Sequence, residues 1–272
     1  CGFLVKLNQN DHTAIIIKSL NLYKALYIPR SITIKGEEYQ IIQISERAFQ
    51  SSWNPKSITF STNSELKLIS KNAFYLSSLQ KLSLPKSISI LEEGWCTLTR
   101  CLYYLTVPPS IKNMSYIEDS YLIYHNLNKT ENVLIFVRRD IEYANIPPNI
   151  KRIGDSAFEN CEKLKSVNFS NDNNGSSTVE IEEIGNNAFA YCKNLENVMF
   201  IPESIKKIGR NSFAYCSKLK TLEFPIKSKL GNISSDSFSH SSISELIIPK
   251  EIEYFEEGWC RDTNELNNIK MH

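Results

Sequence analysis

The chain has 272 residues, of which 42% are apolar, and its 31 Lys and Arg against 30 Asp and Glu leave a formal charge of +1. That length suits one or two domains at ~150 residues each, and the apolar share is enough for a sizeable core, which excludes wholesale disorder. Near-neutrality, with basic residues spread thinly along the chain, argues against a nucleic-acid partner, because phosphate binding needs clustered positive charge. The longest apolar runs, 13–17 and 132–137, are strand-sized and far short of the ~20 residues that span a bilayer. The chain begins at Cys1 and not at Met, so native sequence upstream is expected; Phe3-Leu4-Val5 is too short for a signal-peptide core.

In chain order, residues 1–43 carry no repeat and read as strands at 2–7, 14–18, 26–29 and 38–44, with Lys35-Gly36-Glu37 as a turn. A solenoid end otherwise exposes apolar core and unpaired strand edges, so this segment is the expected N-terminal β cap. A repeat follows. Ile153-Gly154-Asp155-Ser156-Ala157-Phe158 returns as Ile184 to Phe189, Ile208 to Phe213 and, more weakly, Ile233 to Phe238; upstream, Ile44 to Phe49 and Ile69 to Phe74 belong to the same series. Trp95 and Trp259, each in Glu-Glu-Gly-Trp-Cys, take the aromatic place in two variant units. The anchors are spaced by 25 (49 to 74), 21 (74 to 95), 31 (158 to 189), 24 (189 to 213), 25 (213 to 238) and 21 (238 to 259) residues, and the 31 holds a polar, turn-rich insert at 171–177. Adding 164 to a residue number maps Phe49 onto Phe213, Phe74 onto Phe238 and Trp95 onto Trp259. Aligning 41–108 on 205–272 gives 23 identities in 68 positions, the mark of a duplicated block.

Each anchor is followed by apolar-x-x-apolar-x-apolar, as in Leu79/Leu82/Leu84, Leu102/Leu105/Val107, Leu164/Val167/Phe169, Leu195/Val198/Phe200, Leu219/Leu222/Phe224, Ile243/Leu246/Ile248 and Leu266/Ile269/Met271. The last two apolar positions alternate with a polar one and so share one face of a strand. Pro85, Pro108, Pro202, Pro225 and Pro249 then end the strands, having no N–H to give a ladder. One unit of ~24 residues cannot bury its own apolar face, whereas stacked units can. The expected fold is therefore a solenoid, mostly β with short turns or helical pieces, carrying a parallel concave sheet. Phe49, Phe74, Trp95, Phe158, Phe189, Phe213, Phe238 and Trp259 are expected to form its core. The expected organisation is a cap at 1–43, a repeat block at 44–114, a β-hairpin or degenerate repeat at 115–147 and a second block at 148–272, forming one continuous solenoid. The hairpin is expected to pair 121–124 with 132–137 around the polar 126–131. Leu266/Ile269/Met271 complete a strand with no capping sequence after it, so either the native chain continues or the bare edge pairs with another chain; continuation is expected.

The pattern I-x-x-I-G-x-x-A-F-x-x-C-x-x-L-x-x-V-x-F, best matched at 150–169, 181–200 and 205–224, resembles the BspA-type leucine-rich repeat, and the Glu-Gly-Trp-Cys variant with abundant Asn, Lys, Ile and Ser resembles its trichomonad branch. The resemblance covers roughly 25–272. It implies a leucine-rich-repeat fold of the α/β repeat type and a cell-surface or secreted protein that adheres to host-cell or matrix proteins. The matching residues are structural ones, so the family's activity is an expectation only. An intracellular scaffold of the same fold is the alternative.

The chain shows no His-x-x-x-His, Cys-x-x-Cys, Gly-rich phosphate loop or nucleophile elbow, and its four His have no spacing that suggests shared ligation. A binding protein without catalytic residues, metal or cofactor is expected. The acidic pairs before the anchors, such as Glu182-Glu183, read as solvated turns. Cys161, Cys192 and Cys216 fall three residues after an anchor Phe, where Ser52, Ser77 and Ser241 stand in other units. That alternation points to a small buried group near backbone, a structural thiol. Cys96 and Cys101 are close enough in sequence to bridge, but Cys260 has Glu265 where that partner would be, and the cysteine count of seven is odd. These features argue against a disulfide scaffold and sit uneasily with an extracellular site. Sequons occur at Asn113, Asn128, Asn168, Asn174 and Asn232.

A protein partner is expected on the outward positions of the concave strands, which a curved solenoid presents as one surface. They include Tyr104, Thr106, Asn168, Asn197, Met199, Glu223, Glu245 and Ile247, with Tyr104, Met199 and Ile247 as anchors in a polar field.

Overall fold

The computed structural model describes residues 2–111, 113–125, 131–147, 149–169 and 180–271. Cys1, the 171–177 insert, Asn128, Asn174 and His272 lie outside the described residues. The chain divides into two compact units, Cys1–Asp119 and Ser120–His272. Each is a β-solenoid, and among the described residues there is no helix. The pieces expected as turns or short helices are all turns.

In the first unit the strand Phe3–Asn8 pairs antiparallel with Thr13–Ser19, which pairs parallel with Glu37–Ile44. A strand not expected from the sequence, Ser31–Ile34, pairs antiparallel with the same Glu37–Ile44. Glu37–Ile44 is also the first rung of a parallel back sheet that continues through Leu68–Ile69 and Ile90–Leu91. The sheet expected to be the concave one is Ala25–Ile28, Ser57–Phe60, Lys81–Ser83 and Tyr104–Thr106, all parallel. The capping segment thus already supplies one rung to each sheet.

In the second unit Tyr121–His125 and Asn132–Val137 form the expected antiparallel pair. Asn132–Val137 then starts a parallel back sheet of Arg152–Ile153, Glu183–Ile184, Lys207–Ile208, Asn232–Ile233 and Tyr254–Phe255. Ile153, Ile184, Ile208 and Ile233 stack inward along it, fully buried. The corresponding strands of the second unit form two sheets. Tyr143–Asn145, Ser166–Asn168 and Asn197–Met199 make one, and Thr221–Glu223, Glu245–Ile248 and Asn268–Met271 make the other.

The anchors close each coil. Phe158, Phe189, Phe213 and Phe238 stack with centroids 4.7, 5.2 and 5.6 Å apart, and Trp259 meets Phe238 edge-on at 6.1 Å. Phe49, Phe74 and Trp95 repeat this in the first unit at 5.0 and 5.9 Å. Each anchor Phe sits between two left-handed residues. Two places before it are Arg47, Asn72, Ser156, Asn187, Asn211 and Asp236, with φ of 53–60°; two places after are Ser51, Leu76, Asn160, Tyr191, Tyr215 and His240, with φ of 51–61°. This geometry accounts for every N–H in the turn. The N–H groups of Asn187, Phe189 and Tyr191 donate to Arg210, Ser212 and Ala214 carbonyls of the next turn, while those of Ala188, Ala190 and Cys192 donate back to Gly185, Asn187 and Phe189. The cross-turn bonds offset left-handed strain of about 1–2 kcal/mol per residue.

Candidate functional site

The thiols are structural, and their geometry says why Cys and Ser alternate. Cys192 Sγ donates to the Phe158 carbonyl at 3.2 Å and Cys216 Sγ to the Phe189 carbonyl at 3.3 Å, each reaching back to the anchor of the preceding turn. Thr99 Oγ1 does the same for the Phe74 carbonyl at 2.8 Å. Ser77 and Ser241 hold this place without the bond, and their buried hydroxyls have no partner among the described residues. Burial raises the Cys161 thiol, raises Cys192 well above its ordinary value and pushes Cys216 up to about 12. These groups are therefore neutral at physiological pH and poor nucleophiles. Cys96 and Cys101 are free thiols, as are the other described cysteines. In the native chain at pH 8, Cys161, Cys192 and Cys216 are expected to resist a thiol-specific disulfide reagent until denaturant is added. Mass mapping that finds Cys216 modified in the folded protein would contradict this placement.

The outward strand positions fall on both units. Tyr104 and Thr106 lie on one strand of the first unit, in register with Lys81 and Ser83, and Tyr104 is 66% exposed. In the second unit Asn168 is in register with Met199, Thr221 with Glu245, and Glu223 with Ile247. Glu245 accepts hydrogen bonds from Asn268 Nδ2 at 2.9 Å and from Lys270 Nζ, which holds it in place on the sheet. Asn168 does not stand out from the face as expected. It is buried, with 8% exposure, and its Nδ2 donates to Asn145 Oδ1 at 3.3 Å, so the amide is spent on the neighbouring strand. Of the other described sequons, Asn113 Nδ2 donates to the Ser89 carbonyl and Asn232 Nδ2 to Tyr254 Oη, so neither amide is free to carry a sugar without losing a bond.

Phe200 departs from the pattern. The repeat places it inside with Phe169 and Phe224, which are fully buried, yet Phe200 is 41% exposed and left-handed, with φ of 56°. It follows the strand Asn197–Met199, which is not hydrogen-bonded to Thr221–Glu223 although the two are successive turns. With the ladder interrupted, the chain turns out at Phe200 and the ring leaves the core. The interruption opens a groove of about 620 Å³, walled by Asn197, Val198 and Met199 on one side and Lys220, Thr221 and Glu223 on the other. Met199 is 39% exposed there. Lys218 spans the groove to Glu196 at 3.2 Å, a solvated pair worth little to stability. The groove thus gathers Asn197, Met199 and Glu223 of the expected surface around an apolar spot with charged rims.

Two exposed aromatics on the concave strands were not among the expected residues. Tyr143, 64% exposed, lies on Tyr143–Asn145 with Lys165 Nζ 5.5 Å over its ring. Lys165 also hydrogen-bonds Glu142 and holds its carboxyl below the usual carboxylate range. Tyr27, 59% exposed, lies on Ala25–Ile28, one outward place further along its strand and in register with Thr59. The signal for both is the apolar-x-apolar-Pro ending, Leu26/Ile28/Pro29 and Ala144/Ile146/Pro147, which is the strand signature of the regular repeats.

The chain was compared with known proteins. The profile of the BspA type leucine rich repeat region matches residues 23–128 and 132–267, with six copies. No curated protein matches the chain. Among solved structures, a leucine rich cell surface protein from Faecalibacterium prausnitzii A2-165 is similar over 99% of this chain and 93% of its own, at 17% identity and a TM-score of 0.52, a likeness of fold. The pneumococcal vaccine antigen PcpA is similar over 98% of this chain and 81% of its own, at 15% identity and a TM-score of 0.49. With its profile matched over most of its length and its turns stacked as the repeat requires, the chain belongs to the BspA-type leucine-rich repeat family.

Proposed function

We propose that the protein is a surface or secreted recognition module that binds host-cell or matrix proteins through its concave strands and acts by binding alone. The observation that carries this reading is the groove between Asn197–Met199 and Thr221–Glu223, where Met199 lies open in a polar, charged rim. Aromatic and Met contacts inside a polar ring are the usual centre of a protein interface, because they desolvate at little side-chain entropy cost. Family membership and a cell-surface protein of the same fold support the surface location. Tyr104 offers a second anchor on the first unit.

Capture on immobilised matrix and host-surface proteins tests this. Met199→Ala and Tyr104→Ala are expected to weaken capture about tenfold or more, a hot-spot loss of ~1.4 kcal/mol, with the melting temperature unchanged because both side chains are exposed. Undiminished capture by both variants would remove the concave face as the binding surface. The free thiols favour a second reading, an intracellular scaffold of the same fold, since disulfides are the rule outside the cell. Antibody staining of intact, unpermeabilised cells separates the two, and signal only after permeabilisation would establish the scaffold.

A further inference from the structure

The second unit carries another groove, on its turn side, and we propose that it binds an extended, uncharged, β-linked glycan. The groove encloses about 300 Å³ and crosses three successive turns. Its floor is Ala190, Ala214 and Ser239, the residues directly after Phe189, Phe213 and Phe238, so small side chains keep it open. One wall is the left-handed row Asn187, Asn211 and Asp236. The other is the left-handed row Tyr191, Tyr215 and His240, whose rings stack at 4.6 Å in both steps, tilted by 6° and 16°.

Four observations select the ligand. First, the side chains of Asn187 and Asn211 are half-buried and engage no described residue, which leaves two amide groups with donors and acceptors to offer. Second, Tyr215 has both ring faces covered by its neighbours, so it presents an edge and a hydroxyl, a surface for polar groups. Third, charge is balanced: Asp236 is held by Arg210 at 3.4 Å and Arg261 at 3.5 Å, and His240 meets Asp262 at 3.4 Å, so neither a polyanion nor a polycation is favoured. Fourth, among the described residues no aliphatic side chain larger than Ala lines the groove, which gives an apolar peptide side chain little to bury against. A neutral polyhydroxyl chain satisfies all four. Its sugars, β-1,4-linked and extended, advance by about one strand spacing each with alternate sugars turned over, so hydroxyls on one edge or the other meet each amide and ring-edge pair along the groove.

Backbone preference does not explain the aromatic row. A left-handed turn favours Gly, Asn, Asp or His, yet two of the three places in this row are Tyr, where the first unit has Ser51 and Leu76. This groove is separate from the concave face and stands or falls without it.

Isothermal titration of the intact chain with cellotriose and triacetylchitotriose, with maltotriose as the bent α-linked control, tests the proposal. At least one β-linked trimer is expected to bind with a millimolar or tighter dissociation constant. Asn211→Gly, which keeps the left-handed backbone, and Tyr215→Asn are each expected to weaken binding about tenfold, the scale of one lost hydrogen-bonding group. Met199→Ala on the concave face is expected to leave it unchanged. Three results would overturn the proposal: no binding of either β-linked trimer at millimolar concentration, equal binding of maltotriose, or wild-type affinity in Asn211→Gly. Should Tyr215→Asn also lower the melting temperature, Asn211→Gly decides.

Discussion

Replacing Phe213 by Ala is expected to destabilise the chain by about 3–5 kcal/mol, the range for deleting a buried ring without collapse of the cavity. The ring is fully buried and stacked between Phe189 at 5.2 Å and Phe238 at 5.6 Å, so its loss removes two aromatic contacts as well as the transfer term. Collapse is resisted because the flanking turns are fixed by N–H bonds, Phe189 to Ser212 and Phe213 to Ser237, that set the spacing independently of the side chain. Repeat proteins unfold in nearest-neighbour fashion, so the damage should be local. Hydrogen exchange should show weakened protection first in the turns of Phe189 and Phe238. Denaturant melts of Phe213→Ala and Phe200→Ala give the comparison: Phe200, spaced as an anchor-following core residue but exposed, should change stability by no more than ~0.5 kcal/mol. Equal losses in the two variants would mean that the buried stack does not hold the coil.

Phe200 also shows where sequence reading reaches its limit. The aromatic anchors, the strand that follows each, the antiparallel pair around 121–137 and the buried place of Cys161, Cys192 and Cys216 are all legible, because each is a recurring pattern of size and polarity. Local pattern cannot report whether two successive strands are paired. The missing ladder between Asn197–Met199 and Thr221–Glu223 leaves Leu195, Val198 and Phe200 reading as an ordinary unit, so the groove that gathers Asn197, Met199 and Glu223 was invisible. Asn168 misled for the opposite reason: its register is that of an outward residue, but its amide bonds Asn145 and is buried. The paired left-handed positions were half legible. Asn72, Asn187, Asn211 and Asp236 before the anchor are residue types that tolerate positive φ, whereas Leu76, Tyr191 and Tyr215 after it carry no such signal. The turn-side groove between those two rows was therefore beyond a reading that treated the turn as a connector.

The glycine of the Ile-Gly step is a conserved-looking letter of the repeat whose role becomes definite only in three dimensions. Its backbone is not left-handed, so conformational freedom is not the reason for it. Close approach is. A Cβ on Gly209 would lie 2.7 Å from the Gly185 carbonyl carbon and 2.8 Å from Asn186 N, both backbone atoms that cannot swing aside. Adding it must push two turns apart and stretch the bonds that join them, Gly209 N to the Ile184 carbonyl at 2.8 Å and Ser212 Oγ to the Gly185 carbonyl at 3.0 Å. Gly185 meets the same close approach one turn earlier, 2.8 Å from Asp155 N, whereas Ser234 holds this place one turn later and is accommodated, so the constraint belongs to the glycine-bearing turns and not to every unit of the repeat. Gly209→Ala is therefore expected to cost about 1–3 kcal/mol through overpacking. Gly231→Ala is expected to do the reverse, stabilising by about 0.4–1 kcal/mol. Its nearest contact is the flexible Glu253 side chain at 3.5 Å, and the methyl restricts only the unfolded chain. Denaturant midpoints of the two variants carry opposite signs if turn-to-turn contact at Gly209 sets the pitch of the coil; a neutral Gly209→Ala would show that the turns separate freely.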